Sequence, residues 1–586
     1  MFGEINLKQS IKLFLSLILI AFLVSCNNNN SENYSNDYQN SNLNTKGNLY
    51  SDNFPIYFIP RNFDFLYSDS KEFSPPINAI TLHTISCETN GDQFFLFLPQ
   101  WSKYKDLTIF FSNFQNNSIE INGQKYKHGD IIKNINNNQE LLFLIDEQEI
   151  IVNVLFGSEI PTIFIFTESG NLNDIHASQN HREATTFLFV DEFGNIEHFG
   201  DGDMNGRGNW TWRQSKRPYN FRLSSGTRLP LFGLREGRHW TLLANYIDYE
   251  LIRNQIALNL AREIGMKDTS HILPIDLFIN NQYQGVYDLV ERRNINHAVN
   301  INDLQAATAA VNIYDLRSFP RSGTMTHEPN SFKYFDIPHN PPDITGDYFL
   351  EMQLVRRYGN ALSGFVTEIG TPVLLRSPEI ATREQIEYIS TFFQNLENAI
   401  YSSDGYNDNG VHFSEMLDIK SFAQMYILHE FTMDFDSART SFFMVKKSSV
   451  SGSGKIYANA PWDFDNTFGA REDSSNYNEL FANGRRNHQT GRGTDHILTA
   501  LNRHEIFQEA VIYQWQNNFS PLIRVLIGYD TDFQTSNLQS ISEYISDISE
   551  SAQMNRIVWP NPITYSRDIL LFSRGRYAFL ESLWGN

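Results

Sequence analysis

Apolar positions along the 586 residues fall into four regimes. The first is a continuous run over 13–24, preceded by Lys8 and Lys12 and leading into Leu23, Val24, Ser25 and Cys26. A run of about 12 residues makes a helix of roughly 18 Å, short of the roughly 30 Å hydrocarbon core of a bilayer. A basic start, a short apolar run and small residues before a cysteine give the order of an export signal. It would be cut ahead of Cys26, whose thiol then carries a lipid. Residues 27–48 form the second regime. They are rich in Asn and Ser and nearly devoid of apolar side chains, so they cannot repay the entropy of ordering and read as a tether.

The third regime, 49–157, has short apolar segments at 94–98, 108–111 and 140–145 between Asn, Gly and Asp turns, with Asn122-Gly123 as a hairpin turn. It predicts a small β-sandwich serving as a spacer or a binding module. From 158 onward strands are expected at 162–167, 185–190 and 219–223. Ile252, Ile256, Leu260 and Ile264, four residues apart, then mark a helix. Asp248 is placed to cap that helix and Gly265 to end it. Strands at 272–279 and 283–290 follow, joined through Asn280-Asn281, the second running into Glu291, Arg292 and Arg293. Beyond a polar connection come extended segments at 348–354 and 373–375 and helical patterns near 383–400, 414–430, 499–518 and 537–554. The second half is therefore expected to be mainly helical, with the boundary between 291 and 346. The fold class expected is α+β, preceded by a small all-β, sandwich-like domain.

Cysteine usage and charge narrow the picture. Only two cysteines exist, and if Cys26 is lipidated, Cys87 has no partner, so neither a disulfide framework nor a cysteine metal cluster is available. The fold must be held by its core, for which 41% hydrophobic and 14% aromatic content suffice. Acidic residues outnumber basic ones by 67 to 46, and the formal charge of −21 repels nucleic acid in the absence of a basic stripe. No nucleic-acid partner is expected. No later stretch reads as a membrane span, and the 15 histidines form no close metal-binding pair; His176, His181 and His198 read as surface or turn residues.

The densest chemistry lies in His429-Glu430-Phe431-Thr432-Met433-Asp434-Phe435-Asp436, followed by Ser441 and then by Trp462-Asp463-Phe464-Asp465-Asn466. Phosphoryl transfer needs one carboxylate to orient the attacking hydroxyl and another to hold the Mg²⁺ that bridges the phosphates. Protein kinases place a metal-binding Asn five residues after the catalytic Asp; here Ser441 stands five after Asp436. Asp463 follows 27 residues after Asp436, delivered by an apolar strand at 456–460. Either cluster alone reads better as cap and turn carboxylates, or as a calcium-type Asp-x-Asp loop. Together, in this order and after five strands, they favour phosphoryl transfer. A second constellation joins Arg207-Gly208-Asn209 to Lys216-Arg217-Pro218-Tyr219-Asn220-Phe221-Arg222, a Gly turn and a strand with cations suited to phosphates or to a solvated edge. Arg485, Arg486 and Arg492 sit in a Gly/Asn-rich loop, either to attract an acidic partner or merely solvated.

These residues, in this order, resemble the CotH kinase family, atypical secreted kinases related to spore-coat protein H. The resemblance runs from Ile160-Pro161-Thr162 almost to the C-terminus. It takes in Arg207-Gly208-Asn209, Lys216-Arg217-Pro218-Tyr219, His239-Trp240-Thr241 through Asp248, and Leu251-Ile252-Arg253-Asn254. It continues through Ile279-Asn280-Asn281 to Glu291, Gly346-Asp347-Tyr348-Phe349-Leu350-Glu351, Asp436 and Trp462-Asp463-Phe464-Asp465. It implies a two-lobed protein-kinase-like fold, with an N-lobe at about 158–295 and a C-lobe at about 346–586. That fold would transfer the γ-phosphoryl of ATP, with Mg²⁺ or Mn²⁺, to Ser or Thr of a protein.

Carried onto this chain, the resemblance makes Asp436 the catalytic Asp and Asp463 or Asp465 the metal ligand, with Ser441 beside them. Lys216, Arg222 and Arg207 become cofactor-binding cations, and Glu291 sits near the hinge or nucleotide pocket. Arg253 is either a pocket-ordering partner or a surface charge. Three positions depart from the family: Arg217 and Arg222 stand where relatives often carry Lys, and Asp434 where Asn is expected. The whole reads as a kinase lipid-anchored to the cell envelope outside the cytoplasm, at the outer membrane or cell surface, acting on an exported protein. The alternatives are a non-catalytic surface-binding or structural protein with a kinase-like fold, or another nucleotide-dependent transferase.

Overall fold

Asn122 and Gly123 take φ of +50° and +79°, the left-handed pair that turns the strand Ser118–Ile121 back into Gln124–Lys127. Asn280 and Asn281, at +49° and +68°, do the same between Ile272–Ile279 and Gln282–Glu291. Both hairpins follow from the turn residues alone. The computed structural model describes residues 56–61, 77–85, 92–111, 118–145, 148–293, 295, 297–324, 326, 328–437, 439–472, 475–482, 496–530, 538–560 and 568–585. The expected export signal, Cys26, the tether, Cys87 and the loop with Arg485, Arg486 and Arg492 lie outside the described residues.

The chain forms two compact units. The first takes the chain to Met204 together with 274–287 and 548–560. It holds a four-stranded sheet that includes Ile56–Pro60 and Leu107–Phe111, and a six-stranded sheet built on Gln93–Leu98, Gln139–Ile145 and Gln148–Phe156. In Gln139–Ile145 the inward Leu141, Phe143 and Ile145 alternate with Glu140, Leu142 and Leu144, the period of a half-buried strand. Phe58 and Ile109 of one sheet and Leu96, Phe143 and Val152 of the other share one core, so the N-terminal region is all-β as expected. The same core takes in Phe164, Phe278, Tyr283, Met554 and Ile557. The helix Ser549–Val558 therefore belongs to this unit, although its sequence suggested only one more helix of a helical second half. Ser551 Oγ donates to Asp276 Oδ2 at 2.8 Å, and Asn555 Oδ1 accepts from the Val286 N–H at 3.2 Å. Trp559 Nε1 donates to the Gln284 carbonyl at 2.7 Å.

The second unit comprises 205–273, 288–547 and 561–586. Tyr219–Leu223 runs antiparallel to His239–Leu243, which pairs in turn with 288–291. The helix Arg253–Glu263 starts where expected, and Gly265, at φ +81°, follows its last turn. Ile252 occupies the capping position, yet the Asp248 carboxylate accepts the Arg253 N–H at 2.7 Å and so caps from upstream. Arg383–Tyr401 begins with a full capping box between Thr382 and Gln385.

The second half is mainly helical as expected, and the extended segments expected at 348–354 and 373–375 join a seven-stranded sheet between 321 and 459, in which Tyr348–Met352 lies between Pro372–Ser377 and Phe442–Lys446. Its strands are three to six residues long and several are buried on both faces, so alternation is missing, and Arg321–Gly323, Phe332–Phe335 and Gly364–Val366 were not expected. Among the described residues no helix is long and apolar enough to cross a membrane.

Candidate active site

The helix Ile419–Thr432 is buried around its whole circumference from Phe422 to its end, packing against Glu505–Gln514 and Ile569–Trp584. Its last turn is fixed from outside. Arg576 donates to the Glu430 carboxylate at 2.7 Å and to the Glu430 carbonyl at 2.8 Å, with both side chains fully buried. The helix stops at Met433, at φ +50°, and the chain turns through Asp434 to Asp436. Asp434 is buried and works inside this turn. Its Oδ1 accepts the Asp436 N–H at 2.9 Å, and its Oδ2 lies 2.7 Å from His429 Nδ1, close in charge though not aligned as a hydrogen bond. The departure from Asn at this position is thus a turn-forming carboxylate, with Asp436 placed beyond it.

Phe442–Lys446 and Ile456–Asn459 form a hairpin that delivers the loop 460–469 to the same place. Ser441 Oγ donates to Asp463 Oδ2 at 3.0 Å, joining the start of the hairpin to the loop. Ser441, Ala460, Asp463 and Phe468 all take left-handed backbone, at +54°, +48°, +75° and +50°, and none is glycine. Such conformations concentrate at functional sites, where surrounding contacts hold them. Here the contacts are the Phe464 N–H to Asn254 Oδ1 at 2.8 Å and Arg253 Nε to the Thr467 carbonyl at 3.0 Å. Arg253 is fully buried between Asp248 and Glu250, so its side chain orders the loop and is no surface charge.

Asp436, Asp463 and Asp465 act on one another. Burial first, then the charges of Asp434 and Asp463, push the Asp436 carboxyl up to about 7, against Arg439 and Arg357. Burial and the charges of Asp463, Asp248 and Asp436 hold Asp465 well above the usual carboxylate range. Among the described residues no hydrogen-bond donor reaches either carboxylate. In their present rotamers no three His, Cys, Asp or Glu side chains among the described residues stand close enough to chelate an ion. The donor chemistry nevertheless fits a hard divalent cation: two carboxylates without donors, repelled by each other and by Asp463, whose Oδ2 takes the Ser441 hydroxyl.

A cavity of about 780 Å³ opens beside this cluster, lined by Asp463 and Ser441 and by Arg207, Arg292, Arg293, Arg357 and Arg376. Arg293 is stacked between Phe443, at 3.8 Å, and Trp462, at 4.0 Å from the ring centroids. Its Nε and Nη1 are buried without a hydrogen-bond acceptor. Burial lowers its pKa to about 9, with Glu351 opposing and Arg207 adding to the drop. Arg207 reaches Trp462 at 5.7 Å, its pKa lowered by burial against Asp463. Arg357 Nη1 donates to Gln353 Oε1 and Thr440 Oγ1, both at 3.2 Å, and Arg376 pairs with the buried Glu351. Five arginines on the wall of a cavity of this size, with Nε and Nη1 of Arg293 lacking acceptors, make a site for a polyanion.

Of the residues singled out in the sequence, Arg207, Ser441 and Asp463 meet on the cavity wall, with Asp436 and Asp465 in electrostatic reach. Lys216, Arg222 and Glu291 are not among the residues lining it. Lys216 is buried, and its charge acts on Asp288, whose carboxyl burial raises to about 7 despite hydrogen bonds from Asn245 and Gln255. Arg222 is half-buried opposite His239. The Glu291 carboxylate accepts the Arg235 N–H at 2.8 Å, Arg235 Nε at 2.9 Å and the His271 N–H at 2.9 Å. Burial would raise its pKa, but these partners hold it below the usual value. Sequence reasoning passed over Arg293, Arg357 and Arg376. Only the Arg292-Arg293 pair at a strand end gave a signal. A family model described as CotH kinase protein matches residues 204–567. Among curated proteins none matches the chain.

Proposed function

The chain belongs to the CotH kinase protein family and is a kinase-like protein, and from that premise we propose that it transfers the γ-phosphoryl of ATP to Ser or Thr hydroxyls of an exported protein. The observation that carries the reading is the meeting of Asp436, Asp463 and Ser441 with an arginine-lined cavity. The arginines neutralise and orient phosphates: Arg293 offers two N–H groups without acceptors, and Arg207 and Arg357 flank it on the wall. Asp463 and Asp465 would hold Mg²⁺ or Mn²⁺ with Ser441 alongside, and the ion would supply charge neutralisation between phosphates. Asp436, held near 7, is matched to accept the proton of an attacking hydroxyl at neutral pH. Family membership supports the reading of a two-lobed kinase-like arrangement. Export and a lipid on Cys26, which would place the protein in the cell envelope and its substrate on the surface or in the medium, rest on the sequence of residues 1–26.

The test incubates purified protein with ATP labelled at the γ-phosphate and Mg²⁺ or Mn²⁺, and follows label into the protein itself and a Ser/Thr-containing acceptor. Asp436→Ala and Asp463→Ala are each expected to lower incorporation by about 100-fold or more. Incorporation unchanged by both would overturn the proposal. Metal-dependent nucleotide binding without transfer would favour a binding protein, and a product mass other than that of a phosphoryl group another transferase.

A further inference from the structure

We propose that Arg253 and Asn254, the first two residues of their helix, are positioning residues that hold the loop bearing Asp463 and Asp465 in its metal-binding shape; the inference rests on the phosphotransferase reading above. The two anchors fall on either side of Asp465. Asn254 Oδ1 takes the Phe464 N–H at 2.8 Å, and Arg253 Nε reaches the Thr467 carbonyl at 3.0 Å. Because they are neighbours at a helix start, they fix two points of the loop relative to each other. The loop needs this, since Ala460, Asp463 and Phe468 are held at positive φ without being glycine. Each such residue gains of order 1 kcal/mol or more by relaxing, and relaxation would swing the Asp carboxylates apart.

Neither anchor is free to drift. Arg253 is gripped by Asp248 and Glu250, and its own N–H goes to Asp248 Oδ2 at 2.7 Å. Asn254 Nδ2 donates to Asn245 Oδ1 at 2.9 Å, and Asn245 Nδ2 donates to Asp288 Oδ2 at 2.6 Å. Gln255, the next residue, is equally buried and donates to Asp288 Oδ1 at 2.9 Å and to the Leu251 carbonyl at 3.2 Å; neither bond reaches the loop. It supplies the control for a purely structural role. Arg253→Lys retains the charge between Asp248 and Glu250, but an ammonium lacks the planar fork that addresses three acceptors in different directions.

The experiment titrates the full protein with Mn²⁺, read by water-proton relaxation well below the unfolding temperature, with circular dichroism checking each variant's fold. Asn254→Ala and Arg253→Lys are expected to weaken Mn²⁺ binding by about 10- to 100-fold, the range found when residues that orient metal ligands are removed. Gln255→Met should leave it unchanged even where the unfolding temperature falls. If Gln255→Met weakens Mn²⁺ as much as the other two, or if Asn254→Ala and Arg253→Lys bind Mn²⁺ as the native protein does, the proposal is overturned. Asp463→Ala separates the layers. Should it bind Mn²⁺ normally, the metal reading fails and takes this proposal with it; should it lose Mn²⁺ while the anchor variants keep it, only the positioning role fails.

Discussion

Replacing Asp436 with Asn should abolish transfer and yet stabilise the metal-free protein above neutral pH. The side chain is partly buried, its carboxylate has no donor among the described residues, and it stands in the field of Asp434 and Asp463. In the folded protein its pKa rises from 3.8 to about 7. The folded state therefore holds a proton between about pH 4 and pH 7 that the unfolded chain releases, and stability falls as pH rises through that window. The penalty is absent below the lower value and complete above the upper one. At about 1.4 kcal/mol per pH unit it amounts to about 4 kcal/mol, and solvent screening of the partly exposed side chain reduces it to about 2–3 kcal/mol. Asn carries no charge and escapes the penalty. Chemical denaturation in chelator, followed by circular dichroism, should find Asp436→Asn more stable than the native protein at pH 8 and equal to it near pH 4. Divalent metal held by Asp463 and Asp465 should narrow the gap at pH 8, because its positive charge offsets the repulsion on an ionised Asp436 that the variant does not carry. A variant less stable at pH 8, or a gap that does not close on acidification, would refute the reasoning.

Further outcomes are expected elsewhere. Arg576→Met strands the buried Glu430 carboxylate and should cost about 3–5 kcal/mol in urea unfolding, with part recovered in the Glu430→Gln/Arg576→Met double variant. Arg293→Leu keeps the packing between Phe443 and Trp462 while removing a guanidinium without acceptors. The unfolding temperature should hold while ATP affinity by calorimetry drops about 10- to 100-fold. In the first unit, Gly285 sits at φ +99°, and an added Cβ would meet Asn555 Oδ1 at 2.3 Å. Gly285→Ala should cost about 1–3 kcal/mol and speed hydrogen exchange in the helix Ser549–Val558.

Much of the local structure was legible beforehand because local rules decide it. Asn122-Gly123 and Asn280-Asn281 tolerate left-handed backbone and close hairpins, and Gly265 ends the helix that the spacing of Ile252, Ile256, Leu260 and Ile264 marks. The pairing of Asp436 with the Asp463 loop was also readable, since phosphoryl transfer asks for two carboxylate clusters separated by a hairpin. The reading of cations was less complete. Lys216 and Arg222 were favoured because they flank a Gly turn and a strand, whereas the cavity wall is made by Arg207, Arg293, Arg357 and Arg376. The last three come from separate segments of the chain, and no spacing rule links residues that meet only through a sheet.

The sequence alone determined the turns, the helix Arg253–Glu263, the all-β start and the acidic pair at the centre of the candidate site, because each depends on backbone preferences or chemistry within a few residues; the limits of the later helices and the whole of Ile569–Trp584 were not legible in it. Tertiary structure decided which charges face the cavity and which are used up. Glu291 is taken by Arg235 and His271, Asp434 by its own turn, and Arg253 by two carboxylates and the Thr467 carbonyl. It also drew the Ser549–Val558 helix into the first unit's core. The physical reason is the same in each case. A side chain's charge, partner and accessibility are set by what packs against it, and for Arg253 that includes a residue 214 positions away along the chain.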